Sequence, residues 1–364
     1  MELASLFSSQ LARYPACEMS DLLKALYQST MGCGHFTPEE AQAAERLEGE
    51  LSALAPASEG AQAVEPLGAY SRVHLSPAVR DGLAPRTLLR LFLASAEPET
   101  PQRRAQLEQA VREIPALSLP FPQGAVHQAA EAYLAQGCPP LHHSPAFRAA
   151  YTPAYRLVRT GYAQLLPLLC RIDALTRTQE RVIVAIDGPC ASGKTTLAAL
   201  LTRLYDADTL HMDDYFLQPH QRTPERLAQP GGNVDAERFL ADALAPLCEG
   251  RPYLAQRYDC QTQTLLAGET RTPRSVTIVE GSYSLHPALA QRYTLRVLLQ
   301  IDAQAQRARI LRRNGAQMLE RFDTLWIPLE NAYFAATDAA HRCDLLLRVT
   351  PDAHGDNEYE VIDP

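Results

Sequence analysis

The chain has 364 residues, 46% of them hydrophobic and 21% charged, with a formal net charge of −8. That is the composition of an ordinary globular protein long enough for two cores, and its acidic balance leaves no basic surplus to neutralise a nucleic-acid backbone. No run of about 18 apolar residues is long enough to span a membrane, and the start Met-Glu-Leu-Ala-Ser-Leu-Phe lacks the basic and apolar regions of a signal peptide, so a cytoplasmic protein is expected.

The first half reads as mainly helical. Residues 19–31 place Met19, Leu22, Leu23, Leu26 and Tyr27 on one face, with Ser20-Asp21 as the start signal. Helices are expected over 38–54, 83–94, 102–111 and 125–136, broken by an extended piece at 70–74 and by proline-rich joints at 115–122 and 139–145. A helix over 153–175 should connect to the second half, with the boundary in Thr176–Arg181. The expected division is an accessory domain over 1–178, an α/β domain over 179–350 and a loosely held acidic tail over 351–364.

From residue 181 the rhythm changes. Short apolar strands are predicted at 182–187, 208–212, 276–280, 295–301 and 344–349, and helices at 193–205, 235–248, 303–313 and 316–336. Strands alternating with helices give a mostly parallel sheet covered on both faces. The eight cysteines are scattered without a C-x-x-C pair, the pattern of reduced thiols.

Residues 182–195 join an apolar strand to G-x-x-x-x-G-K-T, the phosphate-binding P-loop. Gly188 and Gly193 let the backbone wrap closely, so that N–H groups along Ala191, Ser192, Gly193, Lys194, Thr195 and Thr196 can face a nucleotide's phosphates. Lys194 is placed for the β/γ-phosphates and Thr195 for Mg²⁺. The second strand ends in His211-Met-Asp-Asp-Tyr-Phe216, at the carboxyl edge where ligands gather. Either Asp213 or Asp214 could take a proton from a substrate hydroxyl. Glu280, ending the third apolar strand, is a second candidate for Mg²⁺. On the helix 303–314, Arg309 and Arg313 share a face and are candidates to brace the transferring phosphate, so the ligands implied are ATP and Mg²⁺.

With these pieces in place, residues 180–350 resemble the uridine kinase family of P-loop small-molecule kinases. The resemblance rests on Ile186–Thr195, His211–Phe216, Pro230–Asp235, Tyr258-Asp259, Val279–Tyr283 and Trp326–Phe334. It implies a P-loop kinase fold, Asp213 as catalytic base and as a neighbour of the metal, and Glu280 in the magnesium site. It also implies substrate contacts from Asn233 and Asp235, with Asp214, Tyr215 and Tyr258 beside them. Nucleoside kinases of that family carry a histidine shortly after the Tyr-Asp pair to read the pyrimidine, whereas this chain has Cys-Gln-Thr-Gln-Thr264 there.

The expected activity is therefore transfer of the γ-phosphoryl group of ATP to a small-molecule hydroxyl, on a nucleoside or on a sugar, pantothenate-like compound or hydroxy acid. An acceptor-free NTP-driven switch is the alternative, although no N-K-x-D guanine-reading motif is present. The first half resembles a module fused to such kinases in some bacterial proteins. Its His35, His142, His143, Tyr155 and Arg156 are candidates for an anion or substrate pocket, and no carboxylate spacing supports a metal there.

Overall fold

The computed structural model describes residues 2–34, 39–259, 261–352 and 355–363, so the candidate His35 lies outside the described residues. Internal contacts divide the chain into Met1–Leu166 and Pro167–Pro364, so the boundary falls earlier than the expected 178. Almost all of the helix Leu166–Thr178 consequently belongs to the second unit.

The first unit is helical but also holds an antiparallel sheet, in the order β1 (Val64–Pro66), β2 (Tyr70–His74), β3 (Tyr155–Arg159). β3 corrects the helix expected over 153–175. Helix Pro145–Tyr151 ends at Thr152, which has φ +42°. Pro153 keeps the residue before it out of the right-handed helical region. The open edge of β2 then captures Tyr155–Arg159 in register, Arg72 opposite Leu157 and His74 opposite Tyr155. The helix Met19–Met31 starts in a reciprocal cap between Glu18 and Asp21.

In the second unit, β4 (Val182–Asp187), β5 (Asp208–His211), β10 (Val276–Glu280), β11 (Leu295–Ile301) and β12 (Leu345–Pro351) are parallel, and β13 (Asn357–Ile362) closes one edge antiparallel. Their order is β13-β12-β11-β4-β10-β5. Two small antiparallel ribbons, β6 (Tyr253–Ala255) with β9 (Glu269–Arg271) and β7 (Tyr258–Asp259) with β8 (Thr264–Leu265), lie between β5 and β10 in the chain. Every residue of β4 is buried, as expected for a central parallel strand covered on both faces. Met212, Phe239, Leu244, Val279 and Tyr333 belong to the core on one side of it.

β13 corrects the reading of 351–364 as a loose tail. Glu360 faces outward, 2.7 Å from Arg348, while Tyr359 is buried and opposes Val349. Without it, the edge of β12 would be left unpaired. No described helix is long and apolar enough to cross a membrane.

Candidate functional site

The phosphate loop leaves β4 through backbone that only particular residues can adopt. Gly188 has φ +150°, and a Cβ there would lie 2.7 Å from the Leu299 carbonyl oxygen. Gly193 has φ +96°, and a Cβ would collide with the Asn357 side-chain amide. Between them Ala191 holds φ +59°. That left-handed conformation is uncommon outside glycine. The N–H groups of Ala191 and Gly193 have no acceptor among the described residues. The first turn of helix Lys194–Tyr205 adds donors that no intrahelical carbonyl can reach. The loop is thus a cradle of unmet donors that fits a multiply charged anion.

Asp187 anchors this loop from beneath. It is fully buried and accepts from the N–H groups of Gly188 (2.7 Å), Tyr283 (3.0 Å) and Leu285 (2.8 Å) and from the Tyr333 hydroxyl (2.8 Å). Burial pushes its carboxyl up to about 6, with those donors and the Lys194 charge opposing the rise. Glu330 holds the loop from another side, accepting from Cys190 N–H at 2.8 Å and from the Ser282 hydroxyl at 2.6 Å.

Lys194 is buried and donates to the carbonyls of Gly188 (2.8 Å) and Pro189 (2.9 Å) and to Ser282 Oγ (3.3 Å). Thr195 Oγ1 lies 3.2 Å from Glu280 Oε2. Sheet register explains the next contact: Glu280 pairs with both Ile186 and His211 on the last rung. His211 Nδ1 is 2.6 Å from Glu280 Oε1, and that hydrogen bond raises the imidazole above its ordinary value.

Asp213, just beyond β5, opens onto the same space. Although the residue is open to the cavity, the protein atoms crowded around its carboxyl desolvate it and raise it above its ordinary value, with Glu280 and Asp214 adding to the effect and Lys194 and His211 opposing it. Among the described residues no group of three or more His, Cys, Asp or Glu is placed to hold a metal ion. Thr195, Glu280 and Asp213 fit Mg²⁺ in its nucleotide mode, in which one or two carboxylates share the ion with phosphate oxygens.

These groups line one cavity of about 1070 Å³. Ala191, Gly193, Lys194, Thr195 and Thr196 face it together with Asp213, Glu280, Asn233 and Tyr258. Arg309 and Arg313 also face it, joined by Arg312 and Arg321. Arg309 donates to the Ala191 carbonyl (3.2 Å) and to Asn357 Oδ1 (2.7 Å), whereas Arg313 bonds its neighbour Asn314. Burial lowers the Arg309 guanidinium from its ordinary value. The remaining wall is apolar, from Phe216, Leu217, Phe322, Trp326 and Leu329.

Several predicted positions stand elsewhere. Tyr215 is buried, with its ring edge-on to Phe239 at 4.7 Å and the Arg238 guanidinium over it at 4.5 Å, so it is a core residue and not a wall of the cavity. Asp235 is buried and accepts from Arg238 N–H at 3.0 Å and from Gln221 at 2.8 Å. It serves as a helix cap. Asp214 faces Arg257 at 3.7 Å. Ser192 is fully buried and shapes the loop from inside. Gly188 likewise acts through backbone conformation.

His211, Ser282, Glu330 and Asn357 escaped sequence reasoning. His211 and Glu330 lie inside motifs already marked, so a search for polar residues at strand ends would have found the first. Asn357 offers no signal, because its role depends on β13 returning to the phosphate loop.

No family model matches the chain, and no curated protein matches it. Among solved structures it is similar to a "possible uridine kinase" from Bacillus stearothermophilus, at 20% identity and a TM-score of 0.35, over 50% of this chain and 98% of that chain. It is also similar to a "putative fructose transport system kinase" from Silicibacter sp. TM1040, at 22% identity and a TM-score of 0.37, over 46% of this chain and 93% of that chain.

Proposed function

We propose that the second unit is an ATP-dependent kinase acting on a hydroxyl group of a small molecule. The observation that carries this reading is one cavity holding the donor-rich loop, Lys194, Thr195, Glu280 and Asp213 together. Bound there, ATP with Mg²⁺ supplies the phosphoryl group and part of the charge neutralisation.

The rest is done by side chains. The N–H groups of the loop and the Lys194 ammonium bind the phosphates, while Thr195 and Glu280 hold the metal. His211, fixed to one Glu280 oxygen, keeps that carboxylate oriented toward the Thr195 hydroxyl. Asp213, open to the cavity, receives the acceptor's hydroxyl proton, and its raised carboxyl makes it a better proton acceptor than an aspartate at its ordinary value. Arg309 and Arg313 offset the negative charge that spreads during transfer.

The acceptor is oriented by Asn233 and Tyr258, the latter holding Arg222 at 2.7 Å. Gln263, a glutamine after the Tyr-Asp pair, reaches the same cavity with an uncharged amide. An amide with both donor and acceptor suits a hydroxyl- or carbonyl-bearing acceptor, so non-nucleoside compounds belong in the panel beside nucleosides.

The test is ADP formation by the full chain with Mg²⁺ and ATP, across nucleosides, sugars, pantothenate-like compounds and hydroxy acids. An acceptor-dependent rate that Asp213→Asn removes, with nucleotide affinity retained, is the expected result. ADP formation indifferent to every acceptor would replace the kinase with an NTP-driven switch.

A further inference from the structure

Of the 34 lysine and arginine residues only two are lysine, Lys194 of the phosphate loop and Lys24 of the first unit. Every other permanent side-chain cation in the chain is arginine. Lys24 therefore differs from every other basic side chain of its unit in offering a compact ammonium and not a planar guanidinium fork.

Lys24 lies at a cavity of about 280 Å³ within the first unit. Its polar wall comprises Lys24, Gln28, Arg46, Glu50, Tyr155 and Arg156, and Leu89, Phe92 and Leu157 supply an apolar one. The volume is near the lower end of the ~300–1,000 Å³ typical of small-molecule sites. Among the described residues three cations face a single carboxylate, and that carboxylate, Glu50, is already 2.8 Å from Arg156. Arg46 has no ion-pair partner among the described residues. Lys24 donates to the Leu141 carbonyl at 2.6 Å. The nearby carboxylate of Asp21 is engaged by His143 Nδ1 (2.9 Å), Ser144 N–H (3.0 Å) and the Ser144 hydroxyl (2.7 Å).

The floor of this cavity is locked. Arg72 is 1% exposed; its Nε and Nη2 donate to Gln28 Oε1 at 3.0 and 2.8 Å, and its Nη1 meets Glu65 at 3.0 Å and Gln10 at 2.9 Å. With its oxygen so occupied, Gln28 turns its amide donor to the Tyr155 hydroxyl at 3.0 Å. His143 carries its proton on Nδ1 toward Asp21, so Nε2 accepts the Tyr155 O–H at 2.7 Å. The bond at one ring nitrogen thus fixes the role of the other. The uncharged polar groups are therefore satisfied among themselves, and the surplus positive charge is what remains for a ligand.

We propose that this cavity is a binding site for a small organic anion, a short carboxylate or phosphate monoester with an apolar body, neutralised by Lys24 and Arg46. Burial lowers the Lys24 ammonium to about 8, with the Arg72 charge adding and Asp21 opposing. Arg46, Arg156 and Glu50 are the other charges at the cavity. A bound anion raises the ammonium again, so binding weakens as pH climbs past about 8.

Two lysines on separate peptides make the test specific. The full chain is acetylated with limiting reagent at pH about 8, where the Lys24 ammonium titrates, and mass spectrometry reads Lys24 and Lys194 separately. Benzoate, phenyl phosphate and inorganic phosphate are the probes. Benzoate or phenyl phosphate is expected to slow Lys24 acetylation about tenfold, with benzoate leaving Lys194 unchanged. Arg46→Gln, an exposed position that leaves the floor intact, should raise the protecting concentration roughly tenfold. Unchanged Lys24 reactivity with every probe, or protection indifferent to Arg46→Gln, overturns the site and makes Lys24 a tether for Leu141. Lys194 reports the kinase site independently, so failure here leaves that reading standing.

Discussion

In the second unit the candidate site groups stand at the ends of parallel strands and line one cavity: Lys194 after β4, Asp213 after β5 and Glu280 on the last rung of β10. In the first unit the charged groups Asp21, Glu65 and Arg72 turn inward. Arg72 and Glu65 saturate each other and two glutamines, and Asp21 is consumed by His143 and Ser144, leaving Lys24, Arg46 and Arg156 as the cations at a cavity among the described residues. A parallel sheet hands its polar residues to one edge by topology. A small antiparallel sheet under helices has no such edge, so its charges are buried in pairs that stabilise only while both partners are present.

That contrast can be broken at either end. The largest effect is expected from Asp213→Asn, which should lower acceptor-dependent turnover by roughly 10²–10⁴-fold with little change in thermal stability, read by coupled kinetics and a melting curve. Arg72→Met should do the reverse. It leaves Glu65 buried without its cation and costs about 3–5 kcal/mol in the first unit, measurable by denaturant titration.

Acid sharpens the comparison. Burial favours the neutral acid at Asp21, yet hydrogen bonds from His143 and Ser144 outweigh it and hold the carboxyl at about 2. The Asp21 side chain is fully buried, so little of this is screened by solvent. Its contribution, about 2 kcal/mol, is complete above the unfolded value of ~3.9 and is lost as pH falls through about 2. Glu65, held far below its usual range despite burial by His74, Arg72 and Gln10, acts in the same direction. The first unit should therefore lose stability between pH about 4 and about 2, and Asp21→Asn should flatten that slope in hydrogen exchange resolved by unit. The smallest change is expected from Asn357→Ala, which removes the bond to Arg309. Stability should fall by about 1 kcal/mol or less, while a freer Arg309 weakens nucleotide binding. An unchanged nucleotide affinity would show that β13 merely closes the sheet.

Elements whose cause is local could be read from the chain alone. The apolar run of β4, the glycines of the phosphate loop and the leucine face of the helix after it are all encoded within about twenty residues, and so were legible without coordinates. The amphipathic helix over Met19–Met31 is of the same kind. Pairing across long separations was settled only by folding. β3 is a strand because β2 offers an edge, and the acidic tail is a strand because β12 does. Tyr215 and Asp235 lie in motifs yet serve the core and a helix cap, and Lys24 meets Leu141 from a distant part of the chain. Local propensity carries no information about which edge or charge a segment will meet, because those contacts exist only once the chain has closed on itself.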